Sequence, residues 1–363
     1  TAMRLKADIL GDTDSVAAVK IYNQSQEIVM KERKKPDIAM NWNSSLHFLR
    51  TRDLKRGWEY WELGFDKAVG TMGRNLIPQV KVLPRADHLD KFDPEKWTLI
   101  CVEQGIGDQI LFLSAMEDAI EEWKNLFFVC EARLKPIIKR SFPKLQVGFP
   151  GLLESWTQNS LAKNGFIPLG SLPGRYRPTV ESFTNYKKAF LQVNGDLYVQ
   201  YQKQLRDLAK GRPIVGISWK GGYWESQKKA KALGIENWLP IFERGALCVN
   251  LQYGDTTADE NLIKERGYEL VSFPQVDFKS KLDDWLAISA ACDGIISVST
   301  ALVHFAGACG QKVGIVMPEP QGPWILGIDD EWSIAYPNVA IFRRNRDESV
   351  TELVDRVAKV IVA

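Results

Sequence analysis

Asp293-Gly-Ile-Ile-Ser-Val-Ser-Thr-Ala-Leu-Val-His-Phe-Ala-Gly-Ala-Cys-Gly310 is the stretch whose reading decides the fold. Its run Ile295–Val298, apolar but for Ser297, predicts a buried strand, Ser299-Thr300 a turn, and Ala301 onward a helix that begins at once. The small residues Ala301, Ala306, Gly307 and Ala308 let that helix lie close to its neighbours. A strand that feeds straight into a helix N-terminus leaves unpaired N–H groups beside the positive end of the helix dipole, a ready place for a diphosphate. Ser299 or Thr300 can cap the helix and also reach a phosphate oxygen. An ordinary capped helix of a parallel α/β sheet has the same pattern. His304 falls one turn after Thr300 and shares its face. A lone histidine on an apolar helix is more often a satisfied core residue than a functional group, but this one lies beside the phosphate-site candidate.

Working outward, the same alternation of strand and helix fills the second half of the chain. Strands are expected at Ile214–Trp219, Ala246–Leu251, Leu270–Phe273, Gly294–Val298 and Lys312–Met317. Helices are expected at Leu239–Glu243, Asn261–Arg266, Leu282–Ala291, Ala301–Cys309 and Ser349–Val362. A similar series precedes it. Thr98–Glu103 reads as a strand, followed by a loop to Asp108 and a helix to about Lys124. Asn125–Glu131 is a second strand, a helix starts at Arg133, and a short strand lies near Leu145–Phe149. Residues 150–190 are rich in Gly and Pro and take no assignment. Asp196–Ala209 reads as a helix and Lys210-Gly-Arg-Pro213 as a linker. Alternation of this kind predicts parallel sheets with helices on both faces. Two doubly wound halves would hold a ligand in the crevice beyond the carboxyl ends of their strands.

Residues 1–70 read as helices after an irregular start. Val16–Arg33 has Asp14 or Ser15 as its N-cap, Pro36 opens Asp37–Leu49, and Asp53 begins a third helix ending near Gly64. The run from Pro36 to Tyr60 has the helix-turn-helix rhythm of a tetratricopeptide repeat. One such unit cannot bury its own face, so it either ends a longer array or caps the first large domain. The expected division is a helical segment at 1–70, Rossmann-like domains at 71–210 and 211–345, and a closing helix at 346–363.

A chain of 363 residues is too long for one ordinary core. Its apolar fraction of 45% and charged fraction of 25% are those of a soluble globular protein. A net charge of +2, with only two short basic runs at 31–35 and 228–231, gives no reason to expect a nucleic-acid partner. Five widely spaced cysteines without a C-x-x-C pair exclude the usual zinc and thioredoxin-like patterns and suit a reducing cytoplasm. No apolar stretch approaches the ~20 residues of a membrane span, and no secretory signal is expected.

Two further loops could carry chemistry. In Glu103-Gln-Gly-Ile-Gly-Asp108, Gly105 and Gly107 permit a tight turn close to a ligand beside Gln104. Asp108 is either a helix cap or a carboxylate base aimed into the crevice. The loop also resembles G-x-G-x-x-G, but Ile110 replaces the third glycine. Glu131 would then stand for the acidic ribose ligand of a nicotinamide-dependent oxidoreductase, a weaker alternative. In Val215-Gly-Ile-Ser-Trp-Lys-Gly-Gly222 and the basic loop Lys228-Lys-Ala-Lys231, a lysine could neutralise a leaving diphosphate. The same loop also reads as an exposed surface run.

Together these segments resemble bacterial glycosyltransferases related to the lipopolysaccharide heptosyltransferases, of the type associated with tetratricopeptide repeats. The resemblance runs from about Pro36 to Arg344 and includes Glu103-Gln-Gly-Ile-Gly-Asp108, Val249-Asn-Leu-Gln252, Ile296-Ser-Val-Ser-Thr-Ala-Leu-Val-His304 and Trp324-Ile-Leu-Gly-Ile-Asp-Asp-Glu-Trp332. It implies a GT-B fold of two facing Rossmann-like domains, with acceptor bound by the first and nucleotide diphosphate sugar by the second. It further implies inverting transfer with no obligatory metal and no cofactor beyond the donor. Asp108 falls on the family's catalytic carboxylate, and Thr300, Ala301, Leu302 and His304 on its donor motif. Trp219, Lys220, Gln252 and Ser299 join them as donor-side residues, with Lys229 or Lys231 near the family's basic phosphate ligand. The family usually has Asp where this chain has Ser299, which puts donor preference and activity in question. A catalytically degenerate, nucleotide-sugar-binding scaffold is the reading that Ser299 favours. The acceptor, a protein or a saccharide, is not identified by the residues.

Overall fold

The computed structural model describes residues 2–11, 13–70, 73–76, 80, 83–86, 93, 96–150, 165–221, 233–319 and 322–362. It divides into two compact units. The first comprises Thr1–Glu131, Lys144–Lys187 and Gln321–Asp330; the second comprises Ala132–Pro143, Lys188–Pro320 and Glu331–Ala363.

The first unit opens with four helices, Ala2–Gly11, Ser15–Arg33, Ile38–Arg50 and Leu54–Glu62. The start of the chain is therefore helical, where the sequence had promised an irregular lead. Each of the last three begins on an aspartate whose carboxylate accepts a first-turn N–H: Asp14 from Ala17, Asp37 from Met40 and Asp53 from Arg56. Caps of this type stabilise a helix by about 1 kcal/mol each. The helices bury Ala7, Ala18, Tyr22, Val29 and Met40 in one cluster. Two tryptophans of the fourth helix then reach the segments that follow the first sheet. Trp58 Nε1 donates to Arg177 O (3.1 Å) and Trp61 Nε1 to Gly170 O (2.9 Å).

That sheet contains β1 (Thr98–Cys101), β2 (Leu126–Val129), β3 (Gln146–Gly148) and β4 (Gly165–Pro168), all parallel, in the order β3-β2-β1-β4. Leu99, Cys101, Phe127, Val129 and Phe166 pack on one face. Ile100 and Phe128, directed to the other face by strand alternation, are also fully buried. Strands buried on both sides read as continuous apolar runs, which is why β1 and β2 were visible in the sequence.

A loop from late in the chain completes this unit. Arg52 donates to the carbonyls of Trp324 and Ile325 (both 3.1 Å) and pairs with Asp330. Trp324 packs edge-on against Trp58 at 5.1 Å.

The second unit contains β5 (Ile214–Ser218), β6 (Leu247–Asn250), β7 (Leu270–Val271), β8 (Gly294–Val298), β9 (Val313–Met317) and β10 (Val339–Arg343). The order is β10-β9-β8-β5-β6-β7, all parallel. Counted from β5 this is the 3-2-1-4-5-6 arrangement of the Rossmann fold, with its reversal between β5 and β8. The closing helix, Val350–Ile361, starts on a Ser349–Glu352 capping box and buries Leu353, Val354, Val357, Ala358 and Ile361 against the sheet core. Helix Gly195–Ala209 and the short helix Lys135–Ser141 belong to this unit as well. Among the described residues, no helix is long and apolar enough to cross a membrane.

Candidate functional site

Strands β5 and β8 are paired, Ser218 standing opposite Ser297, so their carboxyl ends lie side by side at the reversal of strand order. In doubly wound sheets this is where ligands bind. From β8 the chain turns through Ser299 and Thr300 into helix Ala301–Ala308. Thr300 has extended N-cap geometry (φ −129°, ψ 176°), but its side chain accepts from no first-turn amide. Its hydroxyl lies 3.3 Å from the buried Ser297 Oγ instead. The first turn thus keeps N–H groups that its cap leaves to another partner. Leu302 is fully buried and Ala301 half-buried, so at this helix start the backbone is the polar feature.

The turn after β5 faces that helix start. Gly221 fits closely there: a Cβ at this position would lie 2.7 Å from Thr300 Cγ2, so one of the two would have to shift. Trp219 points inward, its indole fully buried in the core with Val215, Ile217 and Trp238. At the strand end it offers its backbone, the carbonyl accepting from Leu233 N at 3.1 Å. Lys220 Nζ is engaged by Asp259 at 2.6 Å. Gln252, only 4% exposed, accepts on Oε1 from Ser218 Oγ (3.0 Å), Trp219 N (3.1 Å) and Lys220 N (3.0 Å). Its side chain is spent on the protein's own turn. His304 Nδ1 lies 2.9 Å from Tyr336 Oη, with the rings edge to face. Gly222, Lys228, Lys229 and Lys231 lie outside the described residues.

The structure therefore gathers Trp219, Lys220, Gln252, Ser299, Thr300, Ala301 and Leu302 around one strand-end pair. It also adds residues that the sequence reading passed over: Ser218, Asn250, Asp259 and Glu260. Asn250, a polar side chain ending an otherwise apolar buried strand, was the available signal.

The first unit has the same strand reversal, between β1 and β4. Beyond β1 the chain passes through Gln104 and Gly105 into helix Ile106–Phe112, whose first turn holds Gly107 and Asp108. Negative charge is favoured at that position by the helix dipole. Gln109 Nε2 donates to Gln104 O (2.7 Å) and pins the loop. Glu103 is buried and turned away, with Oε1 bound by Arg74 (2.5 Å) and the Gly170 N–H (3.1 Å). Burial pushes its carboxyl above the usual range against the pull of Arg74. Glu131, the acidic residue of the oxidoreductase alternative, is half-buried just past β2.

No family model matches the chain. Its solved structural neighbours are heptosyltransferases and a family 9 glycosyl transferase. The Escherichia coli ADP-heptose lipopolysaccharide heptosyltransferase II superposes with a TM-score of 0.51 at 12% identity, over 74% of this chain and 98% of that one. This likeness shows the fold. The family 9 glycosyl transferase from Veillonella parvula gives 0.49 at 13% identity, over 75% and 98%. By sequence the chain is 30% identical over 304 residues to Protein FlbA of Caulobacter vibrioides, covering 79% of this chain and 48% of that protein. The chain thus spans about half the length of the curated relative it matches.

Proposed function

We propose that this chain is a glycosyltransferase, moving a sugar from a nucleotide diphosphate sugar to an acceptor hydroxyl. The observation that carries the reading is the strand reversal of the second unit, where Gly221 lies against Thr300 at the start of helix Ala301–Ala308. A diphosphate there meets helix N–H groups and the positive end of the dipole. The fold shared with heptosyltransferase II supports the same assignment.

In this reading Asp108 takes the proton of the acceptor hydroxyl, and the resulting oxygen attacks the anomeric carbon. The bond from that carbon to the diphosphate breaks with its electron pair on the leaving group, and the anomeric configuration inverts. The N–H groups at Thr300–Leu302 hold the departing diphosphate, aided by Lys229, Lys231 or His304. We assign acceptor binding to the first unit and donor binding to the second, without an obligatory metal. The transferred unit is a hexosyl, heptosyl or N-acetylhexosaminyl group, the acceptor a protein or a saccharide, and the compartment the cytoplasm. Residues 36–60 are read as one repeat of tetratricopeptide type, a helical surface suited to a protein acceptor.

A thermal-shift panel of nucleotide diphosphate sugars tests this, with NAD as the control for the oxidoreductase alternative. A cognate donor at 100 times its Kd stabilises the fold by ~2.7 kcal/mol. No shift with any nucleotide sugar, or a shift with NAD alone, would overturn the reading. Donor binding without turnover on any acceptor would favour the scaffold that Ser299 suggests.

A further inference from the structure

Gln252 spends its side-chain oxygen on the turn that follows β5. We infer that Gln252, backed by Asn250 and Glu260, is a positioning residue that sets the turn Trp219–Gly221 against Thr300; this rests on the donor reading above. Two of the three groups on its Oε1 are backbone N–H donors, so the atom facing them must be the oxygen. Its Nε2 is used by Tyr253 O at 3.2 Å.

Behind it the arrangement continues inward. Gln252 N donates to Asn250 Oδ1 (2.9 Å), and Asn250 Nδ2 donates to Thr256 Oγ1 (2.9 Å) and Glu260 Oε1 (2.8 Å). The Glu260 oxygen also accepts from Thr256 Oγ1 (2.6 Å) and Ser272 Oγ (2.8 Å). Thus helix Thr257–Glu265 holds the turn twice, through Asn250 and Gln252 to its backbone and through Asp259 to the Lys220 side chain. A buried, connected polar network of this kind specifies one geometry, because each alternative strands a polar group. The geometry it specifies here is the one in which Gly221 fits beneath the Thr300 methyl.

The test uses Gln252→Met, nearly isosteric but without the oxygen, with Gln252→Asn as the milder variant should Gln252→Met fail to fold. ADP, GDP and UDP are titrated calorimetrically, and amide exchange at Trp219 and Lys220 is followed by NMR. The expected result is at least about tenfold weaker diphosphate binding and about a hundredfold faster exchange at both amides. Combined with Gly221→Ala, the double variant should bind no more than about twofold more weakly than the poorer single one, since both disturb one turn. Multiplying losses would show that Gln252 acts on the ligand directly, and unchanged exchange would show that it does not hold the turn; either overturns the inference. If the unaltered protein binds no nucleoside diphosphate but exchange quickens as expected, the donor reading falls while the positioning of the turn stands.

Discussion

Thr300 and Gly221 occupy each other's space: the threonine methyl lies 2.7 Å from where a side chain at 221 would begin. Gly221 does not have a positive φ, so the demand for glycine is one of contact and not of backbone conformation. Gly221→Ala should therefore weaken nucleoside diphosphate binding by about tenfold, a cost of the size that overpacking brings. Thr300→Ser, which removes the offending methyl, should recover most of that loss in the Gly221→Ala background. Calorimetric titration of the three variants checks it; absence of recovery would place the effect elsewhere.

Asp108 stands in the first turn of its helix, where its charge contributes about 0.3–1 kcal/mol to stability. As the proposed base it contributes far more to rate. Asp108→Asn should lower turnover by ~10²–10⁴-fold while leaving nucleoside diphosphate affinity unchanged and the melting temperature within a few degrees. A variant that keeps near-normal turnover would remove Asp108 from the chemistry.

Asp293, just ahead of β8, ties the site-bearing strands to helix Gly195–Ala209. Its Oδ2 accepts from Ile214 N (2.8 Å) and its carboxylate pairs with Arg206. Burial pushes the carboxyl up, but Arg206 and the Ile214 N–H outweigh it and hold it below the ordinary aspartate range. A carboxylate depressed in the folded state stabilises fully above its unfolded value and loses that contribution as pH falls through the folded one. Asp293→Asn should thus melt lower than the unaltered protein at pH 7, with the gap shrinking as pH drops below about 4. A gap that widened in acid would contradict the sign.

Arg52 is a non-glycine residue in the left-handed region (φ 69°) whose guanidinium holds Trp324, Ile325 and Asp330. Arg52→Ala loses those bonds and keeps the backbone strain; Arg52→Gly loses the bonds but relieves the strain. Urea unfolding should rank Arg52→Gly about 1 kcal/mol above Arg52→Ala, with both below the unaltered protein.

Much of this fold was legible because its strands are buried on both faces. Ile214–Ser218 and Gly294–Val298 are mostly apolar runs, each with a single serine, and every residue in each is buried. β4 is hard to read because its four residues begin on a glycine of positive φ and end on a proline, in a stretch that offers no period. β10 is a short strand whose last two residues are only half-buried, unlike β5 and β8. At the candidate site, Thr300 and the helix after it could be read locally, since strand, cap and helix are consecutive. The engagement of Lys220 by Asp259, and of Gln252 by the turn after β5, joins residues more than thirty positions apart. Sequence spacing says nothing about such pairs; only the packing of β6 beside β5 brings them together.

The loop around Trp324 has a consequence for synthesis. Translation delivers the chain from its beginning, and domains ordinarily close as soon as their last residue emerges. For the first unit that last residue comes late: Arg52 meets its partner Trp324, 272 residues downstream, after β9 has been made. Until then the nascent chain carries an aromatic notch with nothing in it. A release at residue 210 would yield a first unit without residues 321–330.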